Sequence, residues 1–161
     1  MLVPESAGRL GAFPEFIRCD SAWQEWNCLV ERQGKGRALS DMAVIYRTTS
    51  QGKEIERVLA QADIPYQSGV SSSKPGALYG EKDLVKVVSM HSSKGLEFGL
   101  VMIPCLGRCL KKASRTPMRH ACYVAMTRAI DRLVMTYRET SSFTRQVQDA
   151  ISKVSRSLEV A

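Results

Sequence analysis

The chain has 161 residues, 23 of them Lys or Arg and 16 Asp or Glu, which gives a formal net charge of +7 and a pI near 9.3. That length fits one domain with a buried core, and a composition 44% apolar and 24% charged excludes a disordered chain. No apolar run approaches the ~20 residues a membrane span requires, MLVPESAGRL is no secretory signal, and five cysteines cannot all pair, so a reducing cytoplasm is the expected setting.

Residues 1–13, rich in Gly, Ala and Pro, read as a lead-in segment or loosely ordered end, and residues 14–161 as one domain. Asp20 or Ser21 is placed to cap a helix carrying Trp23, Trp26 and Val30, which the Gly34-Lys35-Gly36 stretch closes. Met42-Ala43-Val44-Ile45-Tyr46 predicts a short buried strand. Ile55, Val58, Leu59 and Ala62 recur at helical spacing and predict an amphipathic helix ending before Ile64-Pro65. The Ser- and Gly-rich stretch that follows predicts a flexible loop over 67–82.

Leu84 to Met90 is apolar apart from Lys86 and Ser89, and Leu100 to Ile103 and Leu133 to Tyr137 are similar. Strands this apolar on both faces suit a parallel sheet covered by helices. Pro117 opens a helix in which Ala121, Val124, Ala125 and Arg128 share a stripe, and a last helix carries Phe143, Val147, Ala150, Val154 and Leu158 behind a Ser141 or Ser142 cap. Strands alternating with helices predict an α/β, doubly wound, mostly parallel sheet with helices on both faces.

In such a sheet ligands collect where strands end. His91-Ser92-Ser93-Lys94-Gly95-Leu96-Glu97 follows one buried strand, and Arg47-Thr48-Thr49 follows another. Both stretches are expected on the carboxyl edge, where cationic and hydrogen-bonding groups face a phosphate chain. Glu97 precedes the next strand and Arg128 ends a returning helix, so both are expected on the amino edge. Blander readings accompany each: Arg128 as a partner for the helix dipole, Glu97 as a solvated carboxylate, and His91 as a structural histidine. Arg108, Lys111, Lys112, Arg115 and Arg119 form a run without an acid, either a solvated basic loop or a phosphate contact.

Cys105, Cys109, His120 and Cys122 suggest zinc, but His120 and Cys122 lie two apart on one predicted helix and face different sides. Cys105 follows a buried strand, where a free cysteine packs as a small hydrophobe, and no metal site is expected. No G-x-x-x-x-G-K-[ST] segment occurs, so any nucleotide is expected to bind at a shared site.

Together these segments resemble the C-terminal half of UvrD-like superfamily 1 DNA helicases. Asp41 to Thr48 (DMAVIYRT) resembles the family's fourth motif, and Ala62 to Tyr66 the stretch that follows it. Val87 to Phe98 (VVSMHSSKGLEF) resembles the fifth motif and Tyr123 to Ala129 (YVAMTRA) the sixth. The resemblance spans about Phe16 to Thr140. It implies a second RecA-like motor domain, with ATP and Mg2+ held mainly by an N-terminal RecA-like motor domain and single-stranded DNA crossing both. Carried over by position, it implies that Arg128 touches the γ-phosphate, that Glu97 reaches the nucleotide sugar and that Gly95 permits close backbone approach. Arg47, Thr49, His91 and Ser92 would face DNA.

Some positions depart from the family pattern. Thr49 stands where the family often has Asn, Met118-Arg119-His120 replaces an acidic and arginine stretch, and the large inserted domain has no room between Tyr66 and Val85. The family's Asn-Tyr-Arg-Ser segment is missing. The chain thus reads as a piece of a longer helicase or a truncated gene product, inactive alone as an ATPase. The alternative is a helicase remnant that binds nucleic acid or a protein through its basic loop, without ATPase activity.

Overall fold

The computed structural model describes residues 12–33, 36–69, 83–106 and 116–159. Six strands and four helices make up these segments. They are β1 (Glu15–Arg18), α1 (Ala22–Gln33), β2 (Met42–Tyr46), α2 (Thr49–Gln61), β3 (Tyr66–Ser68), β4 (Val85–Ser89), β5 (Phe98–Ile103), α3 (Thr116–Met126), β6 (Ala129–Tyr137) and α4 (Ser142–Glu159). A single 3-10 turn, Leu39–Asp41, leads into β2.

The strands form one sheet in the order β1-β6-β5-β2-β4-β3, and every pairing is parallel. Side chains alternate across it, as the two-residue period of a strand requires. Met42, Val44 and Tyr46 face one core with Trp26 and Leu29 of α1 and Ile55 and Leu59 of α2. Ala43 and Ile45 face the other, with Cys122 and Ala125 of α3 and Phe143, Val147 and Ile151 of α4. All five residues of β2 are buried, which is why that segment reads as unbroken apolar sequence. The architecture is α/β and RecA-like, with helices on both faces.

The caps act where the sequence places hydroxyls. Ser21 Oγ accepts the Gln24 amide at 3.2 Å, Thr48 and Gln51 form a reciprocal capping box on α2, and Ser141 Oγ accepts the Thr144 amide at 3.2 Å.

Three expectations change. The loop expected from Gln67 begins later, because Tyr66–Ser68 pairs with Val85–Val87 as the edge strand β3; residues 70–82 lie outside the described residues. The strand β1 was not anticipated from its four residues and forms because Glu15–Arg18 pairs with Val134–Tyr137. The helix expected to carry Arg128 ends at Met126, so Arg128 sits in the turn before β6 and not on the helix stripe.

Candidate functional site

The two edges of the sheet carry different chemistry. On the carboxyl edge, β2 and β4 are neighbours with Tyr46 opposite Ser89, so Arg47 and the 90–95 turn emerge side by side. The Met90 amide donates to Tyr46 O at 2.8 Å, which ties the two exits together. Arg47 is half-buried and its amide donates to Gln51 Oε1 at 3.2 Å, while Thr49 is exposed at the start of α2. His91 and Ser92 are exposed. Ser89 Oγ donates to Ser92 Oγ at 2.8 Å and accepts the Ser92 amide at 3.0 Å, so the turn is pre-shaped. Ser93 is fully buried and donates to Met90 O at 2.8 Å, a structural hydroxyl.

The segment from Met90 to Glu97 joins two parallel strands without a full helix. It crosses the face that α3 and α4 also cover, with Met90 and Leu96 packed in that core. The crossing therefore runs from the carboxyl edge at His91 to the amino edge at Glu97. Gly95, within it, has φ +84, a left-handed conformation in which an L side chain is strained. Nothing lies within 4 Å of where its Cβ would stand, so backbone is presented to open space there.

On the amino edge, Phe98 pairs with Ala129, which brings their preceding residues Glu97 and Arg128 to adjacent strand starts. The Phe98 amide donates to Arg128 O at 2.9 Å. Glu97 is exposed and Arg128 half-buried. The Arg128 guanidinium donates through Nε to Val124 O at 3.0 Å, through one terminal nitrogen to Leu96 O at 3.2 Å and through the other to Thr127 Oγ1 at 3.2 Å. A guanidinium has five N–H donors, so two remain. All three acceptors are neutral oxygens. Arg32, Arg37, Arg132 and Arg138 instead meet the carboxylates of Glu15, Asp41 with Asp131, Glu15 and Glu25. Among the described residues, Arg128 is thus a half-buried cation held in place with no counter-carboxylate.

A feature that the sequence reading missed stands beside it. Asp41 precedes β2 at the same edge, accepts the Gly99 amide at 2.8 Å and pairs with Arg37, which reaches on to Asp131 at 3.0 Å. Between Phe98 and Leu100 the β5–β6 register shifts, since Leu100 pairs with Arg132 and not with Asp131. The ion cluster spans that irregularity and fixes where β5 and β6 begin. A Cβ on Gly99 would lie 1.8 Å from an Arg37 terminal nitrogen and 2.1 Å from an Asp41 oxygen, so only glycine admits the cluster.

Glu25, 1% exposed, is the second omission. Its Oε1 accepts the Cys105 amide at 3.2 Å and Thr136 Oγ1 at 3.0 Å, and its Oε2 accepts the Cys105 thiol at 3.0 Å. Arg138 Nε lies 3.0 Å from the same Oε2, an ion pair without hydrogen-bond alignment. Cys105 is therefore more than an apolar filler; its φ of +59 is uncommon for a side-chain-bearing residue, and the carboxylate holds it there. A charged residue between Trp26 and Ala22, on the apolar face of α1, was the available signal.

No three His, Cys, Asp or Glu side chains gather to hold a metal ion among the described residues. His120 is exposed while Cys122 is buried, and Cys109 lies outside the described residues. So do Arg108, Lys111, Lys112 and Arg115 of the basic run; Arg119 is exposed on α3. No described helix is long and apolar enough to cross a membrane.

Residues 70–140 match the UvrD-like helicase C-terminal domain family. A 49-residue stretch is 41% identical to the RecBCD enzyme subunit RecB of Chlamydia trachomatis, covering 30% of this chain and 5% of that protein. A 78-residue stretch is 37% identical to an ATP-dependent helicase/nuclease subunit from Bacillus licheniformis, covering 48% of this chain and 6% of that one. The chain thus spans a small fraction of the length of these relatives. In fold it is similar to the C-terminal domain of a possible DNA helicase from Lactobacillus plantarum, with a TM-score of 0.70 at 17% identity over 88% of this chain and 84% of that one. It is also similar to the E. coli DEAD-box protein SrmB, with a TM-score of 0.55 at 12% identity over 81% and 79%.

Proposed function

We propose that this chain, whose residues 70–140 match the UvrD-like helicase C-terminal domain family, is the second motor domain of an ATP-dependent DNA helicase or translocase. The observation that carries this reading is Arg128, a half-buried guanidinium fixed by three neutral oxygens with two N–H groups left to give. Such a cation favours an anion, and its place at the amino edge suits a polyphosphate shared with another domain. In that setting Arg128 stabilises the charge that develops on a transferring γ-phosphoryl group. Glu97, exposed at the adjacent strand start, accepts hydrogen bonds from the nucleotide sugar, and Gly95 lets backbone approach closely.

The phosphate-cradling loop and the Mg2+ site belong to an N-terminal motor domain, since this sequence has no G-x-x-x-x-G-K-[ST] segment. ATP bound between the two domains supplies the free energy for stepping. On the opposite edge Arg47, Thr49, His91 and Ser92 form part of a single-stranded DNA track, with the protein working in the cytoplasm. The Met90 to Glu97 crossing lies between the two sites.

The reading is tested on the purified chain. It is expected to bind single-stranded oligonucleotides in a salt-dependent way, weakened by Arg47→Ala, and to hydrolyse ATP negligibly. DNA-stimulated turnover by this chain alone, abolished by Arg128→Ala, would overturn the shared-site assignment.

A further inference from the structure

Trp23 is 70% exposed, while Trp26, one turn later in the same helix, is 7% exposed and provides the core contact. The Trp23 indole is thus largely open to a ligand and is not used to fill the core. Its position is well defined. Helix α1 begins four residues after β1 ends, on the carboxyl edge of the sheet. Glu25 then anchors its first turns onto Cys105, just past β5, and onto Thr136 of β6. The strand next to β5 is β2, from which Arg47 emerges, and β4 with His91 and Ser92 follows. From the β5 exit to the β4 exit is two strand spacings, roughly 10 Å. Trp23 therefore stands over the same edge as those residues, beyond them along the strand order.

The indole also separates two concavities. One, of about 390 Å³, lies between α1 and α2, with Trp23, Asn27 and Arg57 in its wall; the other, of about 400 Å³, has Trp23, Asn27 and Arg18. Each thus combines an aromatic face, two side-chain amides and one arginine. Each also carries acid: Glu54 in the first, Asp20 and Glu31 in the second. Carboxylates repel phosphate but accept hydrogen bonds from exocyclic amino groups of bases. The lining suits a base entering edge-on with its phosphate left outside near the arginines.

We propose that Trp23 is a stacking platform for an unpaired base of single-stranded DNA, and that the acids beside it favour amino-bearing bases such as cytosine over thymine. The proposal rests on reading the carboxyl edge as the DNA track. Aromatic stacking tolerates any base, so the platform adds affinity, and the carboxylates add the preference.

The experiment titrates the chain with oligo-dC and oligo-dT of equal length at low salt, following the emission difference between the parent and Trp23→Phe and the affinities by anisotropy. The expected results are quenching of the Trp23 component, a loss of about tenfold in affinity for Trp23→Ala, and tighter binding of dC than dT. Unchanged circular dichroism and melting temperature are expected for Trp23→Ala, because the side chain is exposed. Binding that is weakened by Arg47→Ala but leaves Trp23 emission and the Trp23→Ala affinity unchanged would overturn the platform and leave the track standing. Equal binding of dC and dT with Trp23 quenched would overturn the base preference. No binding of either oligonucleotide would overturn the track and the platform together.

Discussion

Replacing Glu25 with Ala is expected to be among the most damaging single changes to this domain. The side chain is 1% exposed and its carboxylate is contacted by the Cys105 amide, the Cys105 thiol, the Thr136 hydroxyl and Arg138. Alanine removes the Glu25 acceptor of the Cys105 amide, with Thr136 Oγ1 remaining at 3.3 Å, and leaves Arg138 without its counter-charge. Orphaned buried partners cost about 1–3 kcal/mol each, and one-sided loss of a buried ion pair about 3–5 kcal/mol, values that overlap and do not add. Arg138 keeps 24% of its side-chain surface exposed and so recovers some hydration. The net expectation is a loss of about 3–5 kcal/mol, against the ~5–15 kcal/mol that a domain possesses. Glu25→Gln keeps the shape and one acceptor and is expected to cost about 1–3 kcal/mol. Urea unfolding followed by circular dichroism measures both, as a lower midpoint at unchanged slope. A Glu25→Ala midpoint equivalent to less than about 1 kcal/mol of destabilisation would refute the reasoning, since it would mean that the contacts dissolve without penalty.

Two further perturbations probe the amino edge and its neighbours. Gly99→Ala places a methyl group against Arg37 and Asp41 and should destabilise by about 1–3 kcal/mol; in the Arg37→Ala background the cost should shrink, and equal costs in both backgrounds, compared by thermal melting, would contradict the packing argument. Burial pushes the Glu15 carboxyl up, but hydrogen bonds and charge from Arg32 and Arg132 outweigh it and hold the group below its ordinary 4.5. A carboxylate so lowered adds stability above 4.5 that is lost as pH falls through and below that value, so the acid limb of a melting-temperature profile should flatten in Glu15→Gln.

How legible these features were depended on whether local sequence decided them. Met42–Tyr46 and its helix were readable because the strand is buried on both faces and Ile55 and Leu59 keep a strict helical period. The opposed edges were readable too, because parallel strands fix where each connection starts and ends. Strands β1 and β3 were not, since four and three residues carry little pattern and gain their hydrogen bonds from β6 and β4. Arg128 was read as a helix residue because Ala121, Val124 and Ala125 lead the period on to it, whereas Thr127 and Arg128 already turn toward β6. The Arg37–Asp41–Asp131 cluster joins residues up to 94 apart in sequence and has no local signature. Glu25 had one, a charge on an apolar helix face, although its partners Cys105 and Thr136 lie 80 and 111 residues away.

The central claim is that Arg128 serves an ATP site completed by another motor domain. The direct measurement is DNA-stimulated ATP hydrolysis by a polypeptide in which this chain is joined to a phosphate-loop motor domain, comparing the parent with Arg128→Ala and Arg128→Lys. The account predicts that Arg128→Ala lowers turnover on the order of a thousandfold, with single-stranded DNA binding near that of the parent and a melting temperature lowered only by the loss of its three hydrogen bonds. Arg128→Lys should recover little of the loss, because a lysine cannot reproduce the fork held by Val124, Leu96 and Thr127. Turnover within a few-fold of the parent in Arg128→Ala would contradict the claim.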